Sequence, residues 1–137
     1  MFQTLDISSS ALVAQRTRMD TIAANIANIN TTRNVRGEPV PYRRRFAVFA
    51  PGVAGRGPDA GKPGVHVQRV GMDMSPFQRR YQPGHPDAGP DGYVQYPNID
   101  MAIEFVNALE ASRAYEANVT TMEVTKSMIN ASLRLLA

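Results

Sequence analysis

The stretch NIDMAIEFVNALEASRAYEANVTTMEVTKSMINASLRLLA, residues 98–137, decides the fold. It contains neither glycine nor proline. Alternating steps of three and four from Phe105 reach Ala108, Ser112, Tyr115, Val119, Met122, Lys126, Ile129, Leu133 and Leu136. That is the a/d line of a heptad, apolar but for Ser112 and Lys126, and it predicts one long helix from Asp100 to Leu136 in need of a partner helix. Such a helix would run about 55 Å at about 1.5 Å per residue, longer than one small globule requires. Asn98 or Asp100 can cap it, Asp100 and Glu104 place negative charge at its start, and Arg134 places positive charge in its last turn. Val106, Leu109, Val124, Met128 and Leu135 lie off the line, so the helix is expected to have more than one neighbour.

Working back, residues 1–35 also lack glycine and proline. The same count from Leu5 gives Ser8, Leu12, Gln15, Met19, Ile22, Ile26 and Ile29, a second seam that strengthens from Met19 onward. Asp6 is suited to capping or favouring the start of that helix, and the run Asn28-Ile29-Asn30-Thr31-Thr32, poor in helix formers, is predicted to end it. The two seams are expected to pair, with Met19, Ile22, Ile26 and Ile29 against Tyr115, Val119, Met122 and Ile129.

All ten glycines and all ten prolines lie between Gly37 and Pro97. The fold class is therefore α+β: long terminal helices forming a coiled-coil-like stem, with a punctuated middle of short strands and extended loops. Three segments follow, 1–36, 37–97 and 98–137. Within the middle, strands are predicted at Tyr42–Ala50 and Val65–Val70, with Val65 and Val67 alternating with His66 and Gln68. Pro51–Gly64 reads as a loop. Ser75–Asn98, with five prolines, should be extended or turn-like with short pairings at most, and Tyr93–Tyr96 reads as one such strand.

The chemistry-bearing residues are few. There is no cysteine, which excludes disulfides and thiolate metal sites and is compatible with passage through an oxidising compartment. Two separated histidines, His66 and His85, make no zinc spacing. His66 is expected to face solvent and His85 to make a structural hydrogen bond in the turn Pro83-Gly84-His85-Pro86. No phosphate loop or nucleophile motif is present, so neither an enzyme nor a cofactor is expected. Arg43-Arg44-Arg45 is the most basic run, and a solvated strand edge that discourages mispairing accounts for it better than nucleic acid. Net charge is only +3, without tryptophan, and no polyanionic partner is called for. Lys126 on the seam either extends its head to water past Met122 and Ile129 or fixes helix register. No apolar run reaches the length of a membrane span, and no cleavable signal peptide is apparent.

Two long seams leave apolar faces open to neighbouring subunits, and contacts that do not close build a helical filament. The run Ala11-Leu12-Val13-Ala14 followed by Asp20-Thr21-Ile22-Ala23-Ala24-Asn25-Ile26-Ala27-Asn28-Ile29-Asn30-Thr31 resembles the N-terminal signature of the bacterial flagellar axial rod and hook proteins, in which Asn25, Asn28 and Thr31 carry the pattern. The stretches Tyr81-Gln82-Pro83-Gly84-His85-Pro86-Asp87-Ala88 and Glu110-Ala111-Ser112-Arg113-Ala114-Tyr115-Glu116-Ala117-Asn118 are similar to the proximal rod members of that family. The resemblance implies a structural subunit of the proximal rod, a drive shaft that carries motor torque across the periplasm. It further implies export by the flagellar type III apparatus without a cleavable signal. The partners it implies are further copies of the chain, other proximal and distal rod proteins, and the adaptor between rod and export gate. The competing reading is a coiled-coil adaptor or chaperone-like binding module.

Overall fold

The structure is a computed structural model and describes residues 2–52 and 63–136. Its order is α1 (Phe2–Ala27), β1 (Arg45–Pro51), β2 (Val65–Met72), β3 (Gln78–Tyr81), β4 (Tyr93–Tyr96) and α2 (Met101–Leu136). Most of the predicted loop, residues 53–62, lies outside the described residues, as does the side chain of Leu136.

The α2 helix of 36 residues starts where predicted. Asp100 is its cap: the carboxylate Oδ1 accepts the backbone N–H of Ala102 at 2.8 Å and of Ile103 at 3.4 Å. The α1 helix begins at Phe2, so Asp6 falls past the first turn, which holds no acidic residue, and does not cap. The predicted stop holds. The Asn28 amide donates back to the Ala24 carbonyl at 2.8 Å, and the Thr31 hydroxyl donates to Asn28 Oδ1 at 3.1 Å, satisfying groups that the helix end leaves open.

The two helices run side by side and antiparallel, with Arg18 reaching Glu110 at 3.2 Å and Asn25 reaching Glu104 at 2.9 Å. This register corrects the expected pairing. Met19, Ile22 and Ile26 lie across from the first turns of α2, whereas Tyr115, Val119 and Met122 lie across from the N-terminal half of α1. At about 1.5 Å per residue α2 is about 15 Å longer than α1, and its last turns project past the start of α1.

A hairpin of β1 and β2 lies along α1. Its far end is tied by the Val65 N–H donating to Ser10 Oγ at 3.1 Å and its near end by Arg45 meeting Asn25. The register steps from Val48 opposite Arg69 to Phe49 opposite Val67, a bulge at Gln68 that bends the strand. Gly71 lies under the Phe46 ring: a Cβ there would sit 2.8 Å from the ring tip and push it toward solvent. The first strand starts three residues later and ends one residue later than predicted, because the Tyr42 and Arg44 N–H groups go to Thr31 and Asn98 beside the helices rather than to the ladder; the second starts as predicted and ends two residues later.

A second hairpin pairs β3 with β4, Gln78 opposite Tyr96 through Tyr81 opposite Tyr93. The predicted strand Tyr93–Tyr96 is present; its partner Gln78–Tyr81 is not foreseen, being polar and set among prolines. Val94, Tyr96, Pro97 and Ile99 are buried and carry the chain into α2. Arginines lie on the aromatic rings here, Arg79 over Tyr93 and Arg80 over Tyr96, and Tyr81 meets Tyr93 edge-on.

Candidate functional site

The interior that α1, α2 and β1 share is polar. Glu104, whose negative charge suits the start of α2, has 0% exposure. Arg44 grips its Oε1 from two nitrogens at 2.7 and 2.8 Å, and the Asn25 amide donates to Oε2 at 2.9 Å. Asn25 is equally buried. Its Nδ2 also donates to the Arg45 carbonyl at 2.8 Å, and its Oδ1 accepts the Arg45 N–H at 2.9 Å and the Tyr42 hydroxyl at 3.3 Å. The Asn25 side chain thus pairs with the backbone of Arg45 as a neighbouring strand would. Burial pushes the Tyr42 phenol up from its ordinary range, with Arg45 acting in the opposite direction.

The arginine run is therefore a solvated edge only at Arg45, which is exposed at the start of β1. Arg44 belongs to the buried cluster, Arg45 lies over the Tyr42 ring, and Arg43 lies over Phe77 and donates to the carbonyls of Asp73 and Ser75 at 3.3 and 3.4 Å. The carboxyl of Asp73 is held low by the Ser75 hydroxyl and backbone N–H.

A second tie joins the turn after α1 to the turn Pro83–Ala88. The Asp87 carboxylate accepts the Thr32 hydroxyl at 2.8 Å and the Arg33 Nε at 2.6 Å. Those contacts, the Thr32 hydroxyl first and the Arg33 guanidinium after it, hold the carboxyl below the usual carboxylate range against the opposing effect of desolvation. His85 makes the expected turn contact, its Nδ1 accepting the Asp87 N–H at 3.1 Å. His66 differs from expectation: its Nδ1 lies 2.7 Å from the Gly52 carbonyl, closing the mouth of the β1–β2 loop.

On the helices, the buried line of α2 runs through Glu104, Ala111 and Thr125, one residue ahead of Phe105, Ser112 and Lys126. Phe105 is 60% exposed and Leu133 59%, and Lys126 is exposed. Ser112, Tyr115, Val119, Met122 and Ile129 are half-buried. In α1, Ile22 is buried with Ser8, Ala14 and Thr21, while Leu12, Met19 and Ile26 are half-buried and Ile29 lies in the turn beyond the helix. Small residues at the contact let the helices approach. Thr21 and Thr125 tolerate burial because each hydroxyl donates to the carbonyl four residues back, at 2.7 and 2.8 Å. The signal for this phase was present in the sequence: Glu104, Ala111, Asn118, Thr125 and Ser132 recur at intervals of seven, but their polarity conceals an interior line.

Of the residues that carry the resemblance, Asn25, Asn28, Thr31 and His85 make the contacts described, and Tyr42 donates its N–H to the Thr31 carbonyl at 3.1 Å. Pro83, Gly84 and Pro86 are exposed at the turn. Arg113 and Glu116 are exposed on α2, and the half-buried Asn118 donates to the Ala114 carbonyl at 2.8 Å.

What remains open is apolar. Ile103, Phe105, Val106, Leu109, Val124 and Met128 are all more than half exposed along α2, and Leu135 reaches 88%. A monomer seldom leaves so long a row bare, and such rows mark contact with other chains. Among the described residues no cluster of His, Asp or Glu could hold a metal ion, and no helix is long and apolar enough to cross a membrane.

Two family models match the chain: one described as flagella basal body rod protein, over residues 5–33, and one described as flagellar basal body rod FlgEFG protein C-terminal, over residues 91–135. The flagellar basal-body rod protein FlgC of Bacillus subtilis is 42% identical, with 98% of this chain and 97% of that protein covered. The FlgC of Borreliella burgdorferi is 40% identical over 99% and 97%, and that of Escherichia coli O6:H1 is 40% identical over 95% and 93%.

Proposed function

The chain belongs to the FlgC family of flagellar basal-body rod proteins, and from that premise we propose that it is a subunit of the proximal rod, polymerising with copies of itself and with other rod proteins into the shaft that carries motor torque across the periplasm. It is a structural protein of the basal-body rod and not an enzyme. The row of large apolar side chains left bare along α2 carries the finer reading. Covering each side chain of that size contributes about 1.5–3 kcal/mol, and neighbouring subunits of the rod would cover them.

In this reading the terminal helices become a coiled-coil-like stem within the tube wall, and close packing gives the wall the stiffness that torque requires. Leu12, Met19, Ile22, Ile26 and Ile29 of the first segment serve helix pairing and assembly. Phe105, Ser112, Tyr115, Val119, Met122, Lys126, Ile129, Leu133 and Leu136 do so from the second, some toward α1 and some toward neighbours. The hairpins lie between or over adjacent subunits. The chain leaves the cell body through the flagellar type III apparatus and meets the rod-to-export-gate adaptor at the base of the rod.

Substitution at half-buried seam positions tests this. Met122→Glu and Ile129→Asp are expected to be produced at normal levels yet to be missing from purified basal bodies, with loss of swimming. Normal motility in both variants would count against the assembly reading. A cytoplasmic pool of the native chain with none in basal bodies would favour the adaptor reading instead.

A further inference from the structure

We infer that Glu104, Arg44 and Asn25 form a folding latch: the end of α1 and the start of α2 hold together only once the segment Tyr42–Arg45 docks between them, so that stem and hairpin order in one step. The latch is made of contacts within one chain and is independent of that chain's place in the rod.

Glu104 has 0% exposure, and its two oxygens are divided between Arg44 and Asn25. With Tyr42–Arg45 undocked, the carboxylate would keep a single neutral donor in the groove between the helices. An ionised carboxylate in that position costs more than one amide contact returns. No other cation among the described residues is placed to substitute. Arg18 is engaged with Glu110 at 3.2 Å, and Arg45 lies over the Tyr42 ring. Asn25 has the same dependence, because three of its four contacts are with Tyr42 and Arg45. The converse also holds. Arg45 gives both backbone polar groups to Asn25, so β1 cannot take its position until α1 presents that side chain.

Arg44 also approaches the Asp73 carboxylate at 4.0 Å, and the Asp73 N–H donates to the Arg44 carbonyl at 2.8 Å. The end of β2 is thus fastened to the same point. Force applied to the hairpin enters the stem there, through charged and fully hydrogen-bonded contacts whose geometry is narrow, rather than through an apolar contact that could slide.

A double-substitution cycle read by amide hydrogen exchange on the purified full chain tests the latch. In the native chain, amides in 20–27, 45–51 and 104–108 are expected to share one slow rate. Arg44→Met leaves the buried Glu104 carboxylate with one neutral donor and should accelerate all three segments together, on the order of a hundredfold or more, whereas Glu104→Met leaves a part-buried Arg44 near Asp73 and should accelerate the same segments to a smaller extent. The double variant, which removes both charges, should recover most of that protection, and α2 beyond Thr125 should be unchanged throughout. The latch is overturned by any of three results: no common slow rate in the native chain, acceleration confined to the first turns of α2, or a double variant whose acceleration is the product of the two single ones.

Discussion

The two ends of the helix pair differ in their interiors, although both carry bare apolar side chains on the outside, Ile103, Phe105 and Leu109 at one and Val124, Met128 and Leu135 at the other. Where α1 ends and α2 begins, the interior is Asn25, Glu104 and Thr21, all buried, and each polar atom among them finds a partner inside the chain. At the other end, Val124, Met128, Leu133 and Leu135 are apolar and stand in solvent. An isolated globule would arrange these the other way, with leucines inside and charges outside. Buried polar contacts fix one geometry of the single chain, because a misplaced carboxylate or amide loses its partners and keeps the desolvation penalty. Exposed apolar contacts fix nothing alone and are tolerant of which neighbour covers them. The buried polar contacts specify the subunit, and the bare apolar side chains, which run along α2 from Ile103 to Leu135, are open to what the subunit joins.

Removing one of the buried polar partners should therefore have the largest effect on the lone chain. Asn25→Ala strips the buried N–H and carbonyl of Arg45 and one donor of Glu104, and is expected to lower stability by about 3 kcal/mol, seen as a fall in the urea midpoint. A loss below about 1 kcal/mol would mean that the amide is not the clamp. Next comes Gly71→Ala, where the new methyl meets the tip of the Phe46 ring; that ring is exposed enough to turn aside, so a loss of about 1 kcal/mol is expected, seen as a smaller fall in the same urea midpoint.

A smaller effect follows from acid. Asp87 has its folded pKa below its unfolded value, so its contribution is present above the unfolded value of about 4 and is lost as pH falls through the folded one. The turn at Thr32 and Arg33 should stay docked at neutral pH and come free only under strong acid, and Asp87→Asn should free it at pH 7. Side-chain NMR of Thr32 reads both, and an unchanged signal in the variant would remove the tie. The smallest effect belongs to the bare apolar side chains. Leu133→Ala should alter the stability of the isolated chain by no more than about 0.5 kcal/mol, yet reduce its recovery in basal bodies. A large loss in the isolated chain would erase the contrast between the two kinds of contact.

The helices were legible because glycine and proline are absent from both ends of the chain, and that absence is a local property. Tyr93–Tyr96 was legible for a similar reason, as a run of aromatic and β-branched residues bounded by Gly92 and Pro97. The phase of the helix contact was not. A period of seven fits two neighbouring lines of α2 equally well, and the more apolar line, through Phe105 and Leu133, is the exposed one. The polar line became the interior because Arg44 arrives from sixty residues away to neutralise Glu104, a contact no spacing rule reports. Asp87 stands likewise in a legible turn, while its partners Thr32 and Arg33 come from the far side of the middle region.

What the sequence determined by itself is what rests on neighbouring residues: two uninterrupted helices, where each stops, a middle broken into short strands, and a surplus of apolar side chains too extended to bury in one small chain. Tertiary structure alone decided which face of each helix turned inward and how the helices were aligned. Those depend on charges and amides meeting across long stretches of chain, where the cost of an unpaired buried group outweighs the preference of leucine and phenylalanine for the interior.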